Sequence, residues 1–93
     1  MRLDLFLKVS RLIARRSLAQ EFCDAGLIEV NGAAAKSSKE IKAGDKIEIR
    51  RRNRVTKITV LDIPARRQVS KTAAQNFYTI IADEILQDEN ALS

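Results

Sequence analysis
The chain has 93 residues, 45% of them hydrophobic, and carries 17 Lys and Arg against 12 Asp and Glu, a net charge of +5. That size suits one small domain with a modest core and leaves little room for an elaborate enclosed active site. One cysteine and no histidine exclude an intrachain disulfide, a Cys/His zinc site and a histidine-based catalytic triad.

The charge is uneven along the chain. Residues 1–67 hold 16 basic and 8 acidic residues, whereas residues 68–93 hold 1 basic and 4 acidic. A small basic domain points to a polyanionic partner, and nucleic acid is the default. The lone Cys23 fits a reducing cytosol. The opening "MRLDLFLK" has Asp4 inside its apolar run and lacks the apolar core of a signal peptide. No segment approaches the roughly 20 apolar residues of a membrane span. The expectation is a cytoplasmic protein with no membrane association.

Leu3, Phe6 and Leu7 recur at helical spacing and predict a first helix from Leu3 to Ser10. Asp4 in its first turn either complements the helix dipole or orients Arg2 or another arginine, and spacing alone favours the dipole. The phase then breaks around Ser10–Ile13, because a continued helix would put Leu12 opposite the apolar face. A second face follows in Leu18, Phe22 and Ala25, with Ser17 and Gln20 spaced as a capping box and Gly26 placed to end the helix. Its start falls between Ala14 and Ser17.

Lys8 and Arg11 are three apart and share a face. Arg15 and Arg16 stand at the mouth of the second helix, where the dipole and the free amides already attract anions, an odd place for two cations. Guanidinium groups there add planar donors that match phosphate oxygens in pairs, so the spacing predicts a phosphate socket. The rival reading is solvation, or pairing with Glu21 or Asp24.

"LIEVNG" predicts a strand, Leu27–Val30, turning at Asn31-Gly32, the strongest two-residue hairpin signal. Lys36, Lys39 and Lys42 form a looser basic strip. After a turn at Ala43-Gly44-Asp45, Lys46 to Arg50 alternate as a strand. "RRRNR" then gathers Arg50, Arg51, Arg52 and Arg54 around a hairpin tip, which either follows a phosphate backbone or simply solubilises the turn. "VTKITVLDI" returns as a strand with Ile58 and Val60 on one face. In the tail, Ala73, Phe77, Ile80, Ile81 and Ile85 keep helical spacing and Thr72 with Gln75 offers another capping box, so a C-terminal helix is expected, although "FYTII" alone also reads as a strand.

The predicted fold is α+β, with two short N-terminal helices on a small antiparallel β unit plus a C-terminal helix. Residues 1–67 are read as an RNA-binding domain and residues 68–93 as a helical extension. The acids are scattered without ligand spacing, and there is no P-loop or dinucleotide fingerprint, so neither an enzyme, a metal site nor a cofactor is expected. Phe6, Phe22 and Phe77 lie on apolar faces, leaving Tyr78 as a weak stacking candidate. Phosphate and shape recognition of structured RNA therefore fits better than base stacking.

The run Arg2 to Gly32, with "RLDLFL", "ARRSLA" and "GLIEVNG", resembles the RNA-binding domain first described in small-subunit ribosomal protein four, the S-four domain. "IKAGDKIEI" resembles that family's closing strand. The junction Arg15-Arg16-Ser17 and the later "NFYTII" extend the resemblance to about residue 86, toward the family's stand-alone bacterial ribosome-quality-control members. This implies a monomer that binds stalled large ribosomal subunits carrying peptidyl-tRNA. It would contact rRNA and steady the P-site tRNA while an RqcH-type factor directs alanine tailing of the nascent chain. The resemblance makes Arg2, Asp4 and Arg16 the leading contacts. The full set of candidate RNA-binding residues is Arg2, Asp4, Lys8, Arg11, Arg15, Arg16, Ser17, Asn31, Lys36, Arg50, Arg51, Arg52 and Arg54. The alternatives are a heat-shock-type recycling protein that binds obstructed subunits without tailing, a non-catalytic subunit of an RNA-modifying enzyme, and a structural ribosomal protein. The acidic balance of residues 68–93 argues against the recycling protein, which typically carries a basic C-terminal extension.

Overall fold
The computed structural model describes residues 1–66 and 68–86; Arg67 and residues 87–93, part of the expected C-terminal extension, lie outside the described residues. Two helices, α1 (Leu3–Val9) and α2 (Arg16–Asp24), precede the strands β1 (Ile28–Val30), β2 (Ala33–Ala34), β3 (Lys46–Arg51) and β4 (Arg54–Val60). A one-turn helix, α3 (Lys71–Ala74), runs through a 3-10 turn into β5 (Tyr78–Ile85). The strands form one antiparallel sheet in the order β2-β1-β3-β4-β5.

Alternation decides which face is buried. In register, Val30 lies opposite Ile47, Ile47 opposite Ile58, and Ile58 opposite Ile80, so one apolar row crosses the sheet. Leu3, Phe6 and Leu7 of α1 and Ala19 and Cys23 of α2 close over that face, all buried with Ile28, Ile47, Ile49 and Ile58. Phe6 is fully buried, and its truncation to alanine would cost about 3–5 kcal/mol. Phe22, Phe77 and Tyr78 pack against this core while half-buried, which leaves Tyr78 as part of the packing. The opposite face carries an ion ladder in which Arg50 pairs with Glu29 and Glu48, and Lys57 pairs with Glu48.

The turns follow local chemistry. Asn31 and Gly32 both adopt positive φ, 52° and 87°, matching the twist of the hairpin they close. Gly26, at φ 74°, turns the chain out of α2. Between the helices, α1 stops at Val9 and Arg11 takes φ 62°, so the helical phase breaks inside the predicted window.

Three expectations need correction. The C-terminal helix is confined to Lys71–Ala74, and Tyr78–Ile85 is a strand along β4. The aromatic and β-branched run Phe77 to Ile81 favours extended chain, and β4 offers it a free edge of backbone donors and acceptors. Ser17 and Gln20 form no capping box, since α2 begins at Arg16 without a side-chain cap. Thr72 does not cap α3 either; Ser70 does, its Oγ accepting from the Ala73 N–H at 3.1 Å. Among the described residues no helix is long and apolar enough to cross a membrane.

Candidate nucleic-acid interface
The candidate site centres on Asp4. Its side chain is completely buried between α1 and α2, yet it carries a carboxylate. Burying such a charge is costly without donors, and five hydrogen bonds converge on it. Arg2 donates to both oxygens, each at 3.3 Å, in a fork. Arg16 Nε donates at 3.2 Å and Gln20 Nε2 at 2.8 Å, both to Oδ2. The Leu5 N–H donates to Oδ1 at 2.8 Å. Arg16 and Gln20 are four apart, hence on one face of α2, and that face is laid against α1. Burial pushes the Asp4 carboxyl up, but the bonds from Gln20, Arg16 and Leu5 and the charge of Arg16 outweigh it, holding the group below its ordinary range.

This resolves the oddity of cations at a helix start. The first turn of α2 contains no acid of its own, and Asp4 of α1 supplies one from across the helix pair. One carboxylate serves two guanidinium groups, leaving the cluster net positive. Arg2 and Arg16 remain 47% and 39% exposed, so part of each fork faces solvent in a fixed orientation. Arg15, the residue flanking α2, is exposed, Ser17 sits beside it in the first turn, and Arg15 has no ion-pair partner among the described residues. The orphan N–H groups of α1 are met by a loop: Leu3 donates to the Lys39 carbonyl at 2.7 Å and Asp4 to that of Ser37 at 3.1 Å, which fixes the backbone beside Arg2.

The other candidates are distributed differently. Lys8 and Arg11 flank the end of α1, and Arg11 donates to the Val69 carbonyl at 3.1 Å. Both ends of the Asn31 amide are engaged inside the fold: Nδ2 donates to Asp45 at 3.1 Å and Oδ1 accepts from the Lys46 N–H at 3.0 Å. Lys36 is exposed on the loop after β2. At the β3–β4 tip, Arg50 is held by Glu48 and Glu29, and Arg54 forks onto Asp83 through Nε, at 2.7 Å, and Nη2. Arg51 Nη2 reaches back to the Leu12 carbonyl at 2.9 Å and so braces the α1–α2 junction. Arg52 alone of these four has no partner among the described residues and sits exposed in the turn. The structure brings Arg2, Asp4 and Arg16 together as one charged cluster, with Arg15 next to Arg16 in the chain.

Sequence reasoning missed Gln20 as a site residue because it read as a cap; its i, i+4 spacing from Arg16 was the available signal. Burial, then the Asp4 and Asp24 charges, push the Cys23 thiol up to about 11, so it stays protonated and unreactive at neutral pH. Among the described residues no group of three or more His, Cys, Asp or Glu is placed to hold a metal ion.

Residues 1–47 match the S4 (S-four) domain. A protein of Bacillus subtilis named RQC P-site tRNA stabilizing factor is 44% identical over 86 residues, spanning 92% of this chain and 98% of its own. One of the same name from Helicobacter pylori is 42% identical over 71 residues, spanning 76% and 84%. Among solved structures, trimeric Heat Shock Protein 15 of Vibrio cholerae superposes with a TM-score of 0.79 at 31% identity, over 88% of this chain and 82% of that one. A hypothetical protein solved in solution superposes at 0.77 with 37% identity, over 90% and 100%. From the family match over the helix pair and the likeness to these factors along nearly its whole length, the chain belongs to the S4 domain family, in the branch of the RQC P-site tRNA stabilizing factors.

Proposed function
We propose that the protein is a non-catalytic RNA-binding factor of ribosome quality control. It binds stalled large ribosomal subunits that still hold peptidyl-tRNA, contacts rRNA and steadies the tRNA in the P site. An RqcH-type partner then directs alanine tailing of the nascent chain. It works as a monomer in the cytoplasm and needs no cofactor.

The observation that carries this reading is the buried Asp4 holding Arg2 and Arg16 with exposed outer edges. Such a pair is preorganised for phosphate oxygens, because the carboxylate orients both forks before any ligand arrives. The names of the relatives support the target, a P-site tRNA on the ribosome. A direct test is affinity capture of the tagged protein with sequencing of the bound RNA. Enrichment of large-subunit rRNA together with tRNA is expected, and recovery of neither contradicts the proposal.

The likeness to Heat Shock Protein 15 favours a second reading, subunit recycling without tailing. Deleting the gene separates the two: loss of alanine-tailed nascent chains supports the first, and unchanged tailing supports the second.

A further inference from the structure
Outside the Asp4 cluster the molecule has an open cleft of about 690 Å³ between the end of α1 and the connector that leads into α3. One wall holds Lys8 and Arg11; the other holds Gln68, Val69, Ser70 and Lys71. Among the described residues that line it, three are cationic and none is acidic. This separates it from the cations of the β3–β4 hairpin, where Arg50, Arg54 and Lys57 each face a carboxylate.

The cleft is held open by specific bonds. Arg11 adopts φ 62°, a left-handed conformation uncommon for a residue with a side chain, and its Nη2 donates to the Val69 carbonyl at 3.1 Å. The guanidinium thus ties the two walls together while keeping the rest of its donor fork. Ser70 Oγ accepts from the Ala73 N–H, so its hydroxyl proton remains available to a ligand. The donors offered are two ammonium groups, a guanidinium, a hydroxyl and an amide, which suit an oxyanion with several acceptor oxygens. Ala14 also lines the cleft and directly precedes Arg15, so the cleft adjoins the Asp4 cluster along the chain.

We propose that this cleft seats a second backbone phosphodiester of the bound RNA, beside the Arg2–Asp4–Arg16 face, and that Lys71 is a contact residue there. The proposal rests on the RNA-binding reading above. The test is binding to isolated large ribosomal subunits carrying P-site tRNA across a salt series. For Lys8→Ala/Lys71→Ala the slope of log affinity against log salt should fall by about 0.7–0.9 for every phosphate that the variant no longer neutralises. Lys71→Arg should keep the wild-type slope, Lys71→Ala should lower it, and Lys42→Ala, the same single charge removed outside the cleft, should leave it unaltered.

A double variant with the wild-type slope, or Lys42→Ala lowering the slope as much as Lys71→Ala does, overturns the cleft assignment. Wild-type protein that does not bind these subunits overturns the underlying RNA-binding reading. Lys71 is exposed on a one-turn helix, and a thermal melt of each variant separates misfolding from weakened RNA binding.

Discussion
Two arginine-rich regions of this small fold look alike as sequence and differ as chemistry. At the α1–α2 junction one buried carboxylate, Asp4, serves both Arg2 and Arg16. For Arg50 and Arg54 at the β3–β4 tip the ratio is reversed: Arg50 has Glu48 and Glu29, and Arg54 has Asp83. The first arrangement fixes cations and leaves net positive charge facing solvent. The second satisfies Arg50 and Arg54 within the sheet and leaves Arg52 exposed in the turn. The count of arginines therefore does not mark a binding face; the ratio of cations to carboxylates and the orientation of the forks do.

The largest expected effect breaks the junction at its centre. Asp4→Asn removes the charge on which five hydrogen bonds converge. Because Arg2 and Arg16 are partly exposed and can rehydrate, the cost is about 1–3 kcal/mol rather than the full penalty of a buried unpaired ion. For a domain of this size each kcal/mol lowers Tm by roughly 4–8 °C. Arg16→Ala is expected to weaken binding to large subunits by about 10- to 100-fold while shifting the melt far less. Unchanged affinity, or a variant that does not fold, removes Arg16 from the contact set.

Acid titration sharpens the same contrast. The folded-state pKa of Asp4 lies below its ordinary 3.8, so its contribution is complete above that value and disappears as pH falls through the folded one. Asp83, held down to about 2 first by the hydrogen bond from Arg54, behaves likewise between 3.8 and about 2. Urea midpoints measured from about pH 5 to about pH 2 should fall for the wild type and fall less for Asp4→Asn. A wild-type midpoint independent of pH in that window contradicts the depressed carboxylates. Smallest of all, Asp83→Ala should raise hydrogen exchange along β5 and leave subunit binding as it was, since Asp83 fastens that strand to Arg54 and Thr56.

What could be read in advance was local. Asn31-Gly32, Gly26 and the alternation of Lys46 to Arg50 need only their neighbours, and each has the predicted form. The Asp4 hub depends on residues 12 and 16 positions away, so spacing within α1 pointed to the dipole instead. The hairpin tip looked like free charge because the partner of Arg54 lies 29 positions on, in a segment misread as helix. That misreading has a physical origin. Ala73, Phe77, Ile80, Ile81 and Ile85 satisfy a helical period, but β-branched content and the open edge of β4 outweigh periodicity.

The decisive comparison is the salt dependence of binding to large ribosomal subunits carrying P-site tRNA, measured for two variants of equal charge change. Arg15→Ala/Arg16→Ala should lower the slope of log affinity against log salt by about 0.7–0.9 for each phosphate left without its arginine, and Arg50→Ala/Arg54→Ala should leave it near that of the wild type. Equal reductions in the two variants, or a reduction confined to the hairpin pair, would show that the junction is not the face that grips RNA.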